Sequence, residues 1–195
     1  MRRFVLAWGA AVLLLSGCSS PEPRFYVLSG VPAPTRQIPG RGQDIAVGVG
    51  PVEFPDYLDR PQIVTRTGQN ELQIADFDRW AEPLKHNATQ VLAENLAVLL
   101  PSKKVVTYPW RRATPVDYQL IVKVIRFDRA EGGDSTLSTR WAVMTGDGKS
   151  ELLNRESRYT ERPAGASYGA TVAAMNQTLA RFTRDVAIAV KGLPR

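Results

Sequence analysis

DYQLIVKVIRFD, residues 117–128, is the stretch of this chain that decides its fold. It carries apolar side chains on both sides of an extended backbone, because successive residues of a strand point to opposite faces. One side presents Tyr118, Leu120, Val122 and Val124, and the other presents Ile121, Ile125 and Phe127. A strand that is apolar on both sides lies inside a sheet and is covered on at least part of each face. The stretch therefore predicts a central strand.

Further strands are predicted on both sides of this central strand. Residues 135–145 alternate between apolar and polar side chains, and the turn at 146–149 contains Asp-Gly, a strong hairpin signal. Residues 151–161 then return as a polar edge strand. Towards the N-terminus, shorter runs with strand composition occupy residues 24–28, 44–52, 62–67, 71–75 and 104–108.

Two amphipathic helices complete the predicted elements. The first runs from near Asp78 to residue 100, with apolar residues at steps of three and four. Asp76 or Asp78 is placed to cap its start, although Pro83 fits only a first helical turn and allows a start as late as Glu82. The second helix spans residues 168–190 and is preceded by a capping serine.

These elements predict an α/β fold with two layers. The expected architecture is a sandwich in which a mixed, mostly antiparallel sheet of about six or seven strands carries both amphipathic helices on one face. The opposite face then exposes apolar side chains such as Ile121, Ile125 and Phe127. Exposed apolar surface of this kind indicates a partner or a homo-oligomer.

The N-terminus has the layout of a bacterial lipoprotein leader. A cationic start precedes the apolar run from Phe4 to Leu15, and Leu15-Ser16-Gly17-Cys18 resembles a lipobox. The run is shorter than the roughly 20 residues that span a bilayer, which disfavours a membrane helix. We expect residues 1–17 to be a signal peptide, residues 18–23 a tether lipidated at Cys18, and residues 24–195 a single domain. Ser19 favours export to the inner face of the outer membrane.

The composition excludes several classes of function. The formal net charge of +6 is mild and owes two charges to the leader, so it does not indicate nucleic-acid binding. One cysteine, committed to lipid, excludes disulfides and thiol catalysis, and a single histidine excludes a histidine-rich metal site. We expect neither a cofactor nor a bound metal.

Asp76, Asp78 and Glu82 form the only acidic cluster considered for catalysis. Paired carboxylates can perform acid–base chemistry, which raises the hypothesis of an envelope hydrolase that uses Asp76 or Glu82. The preferred interpretation is that they stabilise the positive end of the first helix. We therefore expect a protein that is not an enzyme.

Three segments together resemble one family, the PqiC/YmbA auxiliary lipoproteins of ABC-type transport systems. The segments are Arg24-Phe25-Tyr26-Val27-Leu28, residues 48–64 with Pro55-Asp56-Tyr57-Leu58-Asp59-Arg60-Pro61 at their centre, and Asp76-Phe77-Asp78-Arg79-Trp80-Ala81-Glu82-Pro83-Leu84. The resemblance covers most of residues 24–100. The later strands and the second helix agree with the family in layout but carry no sharp motif.

The resemblance implies a location and partners. Family members sit at the inner face of the outer membrane, work with a periplasmic MCE-domain protein and inner-membrane transporter components to move lipids, support membrane integrity, and are thought to form rings. The family has no known catalytic residues. Six motif residues are expected either to contact a partner or to fix the structure, namely Tyr57, Asp59, Arg60, Asp76, Arg79 and Trp80.

One alternative function stays open from the sequence. The chain could be a periplasmic binding module that holds a small hydrophobic ligand in the gap between its helices and its sheet. Native mass spectrometry of the purified domain distinguishes the alternatives, because an empty protein in every preparation counts against a bound ligand.

Overall fold

Eight strands form one mixed sheet in the part of the chain that the computed structural model describes, residues 21–32, 45–100, 104–110 and 114–194. The predicted signal peptide and Cys18 lie outside these residues. The strands are β1 (Arg24–Tyr26), β2 (Val47–Glu53), β3 (Gln62–Arg66), β4 (Leu72–Trp80), β5 (Val105–Thr107), β6 (Tyr118–Ala130), β7 (Ser135–Thr145) and β8 (Glu151–Glu161). The helices are α1 (Leu84–Leu99) and α2 (Tyr168–Lys191), and a 3-10 turn spans Asp56–Leu58.

The prediction of a central strand at residues 117–128 is confirmed. β6 is parallel to β2 along its first half and to β3 at its last two residues, and antiparallel to β7 along its length. β7 also pairs with β8, in antiparallel orientation. On the other side, β3 is antiparallel to β4, and β4 is parallel to β1. Four of the pairings are parallel and three are antiparallel, and the two longest ladders, β6–β7 and β7–β8, are both antiparallel. The mixed, two-layer α/β architecture is thus confirmed, with eight strands rather than six or seven, because the short strands β1 and β5 are full members of the sheet.

Both helices cover the same face of the sheet. Ala88 and Leu92 of α1 and Leu179 and Phe182 of α2 meet the alternate residues of β6 and β7 that point to this side. The registered pairs Leu120–Val143 and Val122–Trp141 are buried beneath them. Trp141 and Phe182 contact edge to face, with ring centroids 6.0 Å apart.

A β-bulge in β6 corrects one sequence expectation. The register with β7 shifts between Val124 and Arg126, so that the residues after the bulge exchange faces. Phe127 therefore points into the core and is 1% exposed, whereas Ile125 stays 39% exposed. The prediction that Phe127 lies on the open face is wrong, because the strict alternation of side chains between the two faces does not hold across the residue inserted at the bulge.

The beginning of α1 corrects a second expectation. β4 extends to Trp80, and α1 starts at Leu84 after Pro83 at the N-cap position, which has no side-chain cap. Asp76 and Asp78 lie in β4 and do not cap the helix. Their positions reflect strand pairing, since the end of β4 pairs with both β1 and β3. By contrast, Ser167 caps α2 as predicted, and its hydroxyl accepts a hydrogen bond from the Ala170 amide.

Candidate functional site

The first motif carboxylate, Asp78, is a buried anchor for the N-terminal strand. Its side chain accepts a hydrogen bond from Arg24 Nη2 at 2.8 Å and one from the Tyr26 hydroxyl at 2.7 Å. Asp78 is almost fully buried, and a buried carboxylate is costly unless it is paired and hydrogen-bonded. Two of the three family segments are therefore joined through this one side chain, which gives them a structural role.

The second carboxylate, Asp128, anchors the motif loop between β2 and β3. It is fully buried and accepts hydrogen bonds from the Tyr57 hydroxyl at 2.9 Å, Arg126 Nε at 2.7 Å and Arg66 Nη2 at 3.3 Å. The Arg66 guanidinium also lies over the Tyr57 ring, 5.8 Å from its centroid. Burial, followed by the charge of Asp128, raises the pKa of Tyr57 from 10.0 to about 12. Tyr57 thus fixes the 3-10 turn to the central strand.

The remaining motif residues divide into internal and exposed positions. Trp80 is buried, and its amide donates to the Pro61 carbonyl at 2.6 Å, which brings the end of β4 against the motif loop. Arg60 and Arg79 are half-buried. Only Asp59 and Asp76 among the six predicted site residues are exposed. These two carboxylates are therefore the predicted site residues most accessible to a partner.

Asp59 lies on an open groove of volume ≈ 350 Å³. The other wall is formed by the first turns of α1, including Lys85 and His86, and the floor by the ends of β2 and β5, including Pro51 and Tyr108. His86 Nε2 lies 3.7 Å from the Glu82 carboxylate, and both side chains are accessible to solvent. The groove therefore combines charges of both signs with an aromatic side chain.

The acidic residues do not assemble into a catalytic or metal centre within the described ranges. Asp78 is held by Arg24 and Tyr26, Asp76 is exposed on β4, and Glu82 faces His86. No group of three His, Cys, Asp or Glu residues among the described positions is arranged to hold a metal ion.

A segment that sequence reasoning missed fills the junction of the two helices. The chain after β1 is held by three asparagines: Leu28 donates its amide to Asn87 Oδ1, Ser29 to Asn176 Oδ1 at 3.0 Å, and Val31 to Asn95 Oδ1 at 2.7 Å. Asn87 and Asn95 belong to the buried side of α1, eight residues apart, which is close to two helical turns. The available signal in the sequence is a polar residue, Asn95, at a position of the apolar stripe of this helix.

The space between the helices and the sheet is nearly filled. The apolar gap lined by Val52, Leu92, Phe127, Leu179 and Phe182, among others, has a volume of only ≈ 10 Å³. One water molecule needs about that much space. This gap is therefore too small for the hydrophobic ligand that the alternative function places between the helices and the sheet. Within the described residues, neither helix is long and apolar enough to cross a membrane.

Comparisons with known proteins agree with the resemblance found in the motifs. Residues 26–187 match the family model described as ABC-type transport auxiliary lipoprotein component. The chain is 30% identical over 155 residues to the intermembrane transport lipoprotein PqiC of Escherichia coli (strain K12) and equally to that of Shigella flexneri, covering 78% of this chain and 75% of either relative. Its fold is similar to that of a crystallised Xanthomonas campestris protein, with a TM-score of 0.71 and 18% identity over 87% of this chain and 96% of that one. With both the motif segments and the matched length in agreement, the chain belongs to the family of ABC-type transport auxiliary lipoproteins.

Proposed function

We propose that this protein is a non-enzymatic lipoprotein of the outer membrane that assists an ABC- and MCE-type system in moving lipids across the envelope. The observation that carries the proposal is the family match over residues 26–187. The names of the PqiC relatives, intermembrane transport lipoproteins, point in the same direction. In this role the protein supports membrane integrity without a cofactor and without nucleic acid.

The membrane attachment in this proposal is the acylated Cys18. Acyl chains anchor a protein by about 0.8 kcal/mol per buried methylene, and stable attachment takes two or more chains. The short tether of residues 18–23 then holds the domain on the periplasmic side, close to the membrane. Mass spectrometry of the membrane-extracted protein tests this attachment, with an N-terminal Cys18 that carries diacylglyceryl and acyl groups as the expected result.

The groove beside Asp59 is our proposed contact for the periplasmic MCE-domain protein. Asp59 belongs to the motif loop but, unlike Tyr57, is not used to hold that loop in place: its side chain is exposed on the groove wall. Lys85, His86 and Tyr108 supply further polar and aromatic groups on the same surface. Interfaces of this mixed composition suit a specific protein partner.

Co-purification tests both the partner and the contact surface. The full chain, expressed with its leader, is extracted from membranes together with a tagged MCE protein. We expect the wild type and the Glu131→Arg control, an exposed position in the β6–β7 turn, to co-purify, and the Asp59→Arg variant to be lost. Failure of the wild type to co-purify would remove the proposed function, whereas normal binding by Asp59→Arg would remove only the groove.

Self-association into a ring belongs to the same proposal. The sheet ends in strands β1, β5 and β8, each paired on one side within the described residues, and such edges can pair with a neighbouring copy. Native mass spectrometry of the detergent-extracted protein measures the number of copies, and a strictly monomeric protein would contradict this part.

A further inference from the structure

The N-terminal strand and the residue that follows it expose two large apolar side chains. Phe25 is 63% exposed and Val27 is 50% exposed, although edge strands of water-soluble domains usually carry charged or polar residues at their outward positions. Most of the large apolar residues of this domain are buried instead. The exposure of two such residues, two positions apart, calls for a physical cause.

The cause is the way in which β1 is fixed to the rest of the domain. Arg24 and Tyr26 are both held by Asp78, and Leu28 is buried with its amide bound to Asn87. Because side chains of an extended chain alternate, Phe25 and Val27 point away from Asp78 and from the side on which Leu28 is buried, although the Arg24 side chain itself stays 65% exposed. The hydrogen bonds of Asp78 therefore hold the two apolar side chains away from the core.

The chain length between this pair and the predicted anchor is short. Cys18 precedes Phe25 by seven residues, and a fully extended chain spans at most about 3.3–3.6 Å per residue, or about 25 Å in all. Whatever conformation the tether adopts, Phe25 cannot lie farther than this from the acylated residue. The pair is thus kept within reach of the lipid surface.

We propose that Phe25 and Val27 insert into the membrane interface and that the edge formed by β1 is the membrane-facing surface of the domain. This inference rests on the proposed acylation of Cys18. Interfacial apolar residues of peripheral proteins lie about 5–10 Å into the boundary between headgroups and acyl chains. Together with the acyl chains, the two side chains would set the orientation of the domain, which an anchor at a single residue leaves free.

Basic side chains flank this edge on the helical side. Arg181 and Arg184 of α2 line a shallow groove with Ser29, Gly30 and Val31, which follow the exposed pair after the buried Leu28. Guanidinium groups bind phosphate oxygens well, and here they stand where lipid headgroups would lie. Arg181 is 3.4 Å from Glu161, so part of its charge is already balanced by the protein. Because the charge of Arg181 is partly balanced, Phe25 and Val27 are the main contacts of this edge with the membrane surface.

A fluorescence experiment on the acylated full chain tests this orientation. Since Cys18 is the sole cysteine and is blocked by lipid, the Val27→Cys substitution introduces the only reactive thiol. An environment-sensitive NBD label at this position is compared with the same label in an Ile188→Cys variant. Ile188 is 69% exposed on α2, about 18 Å along the helix axis from Asn176, which binds Ser29. Both variants are reconstituted into phosphatidylethanolamine–phosphatidylglycerol vesicles containing lipid with a doxyl quencher on its acyl chain.

We expect the label at position 27 to be blue-shifted and quenched several-fold more strongly than the label at position 188, and the added Phe25→Ser substitution to reduce that quenching. Equal, weak quenching at both positions in protein whose mass shows acylation would overturn the membrane contact and leave the proposed function standing. A blue shift without lipid quenching would place the strand against another protein copy and would also overturn it. A chain that is not acylated would overturn the anchor and this inference together.

Discussion

At the scale of single residues, neighbouring carboxylates of one strand have opposite roles. Asp78 is buried and binds Arg24 and Tyr26, while Asp76, two residues earlier on β4, is exposed. Removing a buried acceptor leaves its former donors without a partner, at a cost of about 1–3 kcal/mol. We expect Asp78→Ala to lower the free energy of unfolding by that amount in equilibrium urea titrations.

The matched control for this substitution is Asp76→Ala, which we expect to change the free energy of unfolding by no more than about 0.5 kcal/mol. Alanine at both Asp76 and Glu82 tests the hydrolase hypothesis, because it removes both carboxylates that the mechanism could use, and intact function in cells would contradict that hypothesis. Equal destabilisation by Asp78→Ala and Asp76→Ala would contradict the structural role assigned to Asp78.

Tyr57 supplies a prediction about alkaline pH. Its pKa is raised from 10.0 to about 12 by burial and by the charge of Asp128, so the folded protein holds this proton more tightly than the unfolded chain does. The resulting stabilisation is complete below about pH 10 and is lost as the pH rises from about 10 towards about 12. We therefore expect the stability difference between wild type and Tyr57→Phe to be larger at pH 8 than at pH 11.

Urea unfolding at the two pH values measures this difference. Tyr108→Phe, at an exposed tyrosine, is the control and should show no such dependence on pH. Groups that are common to a variant and the wild type cancel when the two proteins are compared. A Tyr57→Phe difference that stays constant from pH 8 to pH 11 would show that the hydroxyl is not held by Asp128.

At the scale of elements, the packing on β2 explains why glycine recurs in the sequence of this strand. A Cβ atom added at Gly48 would lie 2.6 Å from Cη2 of Trp110, so the indole ring packs directly on the backbone of the strand. The sequence predicts a bulge or a close backbone approach at these glycines, and the register of β2 with β6 does shift between Val49 and Val52. The group that approaches Gly48, however, is an aromatic side chain 62 residues later in the chain.

This packing predicts that Gly48→Ala is destabilising. Overpacking against a rigid ring costs about 1–3 kcal/mol, because the backbone or the ring must move. Gly165→Ala is the matched control, since nothing lies within 4 Å of its added Cβ, and it should be nearly neutral. Thermal unfolding measures both, and intrinsic tryptophan fluorescence shows whether the Trp110 ring is displaced in the first variant only.

The elements that were predicted correctly are those whose pattern is local. The long strands at 135–145 and 151–161 and the capped helix that ends near residue 190 have clear periodicity and clear ends. The start of α1 and the orientation of Phe127 were missed, because each depends on pairing with a distant strand: β4 with β1 and β3, and β6 with β7 across a bulge. Propensity within a short window contains no information about these partners.

At the scale of the whole molecule, the motif residues pointed to the right family before their positions were known. What the sequence could not tell is that Tyr57, Trp80 and Asp78 face inward while Asp59 and Asp76 face solvent. The partner of Tyr57, Asp128, lies 71 positions away on β6, and neither spacing nor composition links the two. The candidate site is therefore visible only once the sheet has placed the motif loop beside the central strand.

The filled interior leads to a final prediction about the molecule as a whole. Side chains of both helices and the sheet leave a gap of ≈ 10 Å³ between the layers, and the segment after β1 closes the junction of the helices through Asn87, Asn95 and Asn176. A lipid or similar ligand needs a pocket of about 300–1,000 Å³, so binding between the two layers would require the layers to separate.

Native mass spectrometry of the extracted protein should therefore show the acylated polypeptide, alone or in whole multiples, without an additional small hydrophobic molecule. A ligand that stays bound in stoichiometric amount after detergent exchange would contradict this, and its loss on Asn87→Ala substitution would locate it between the helices.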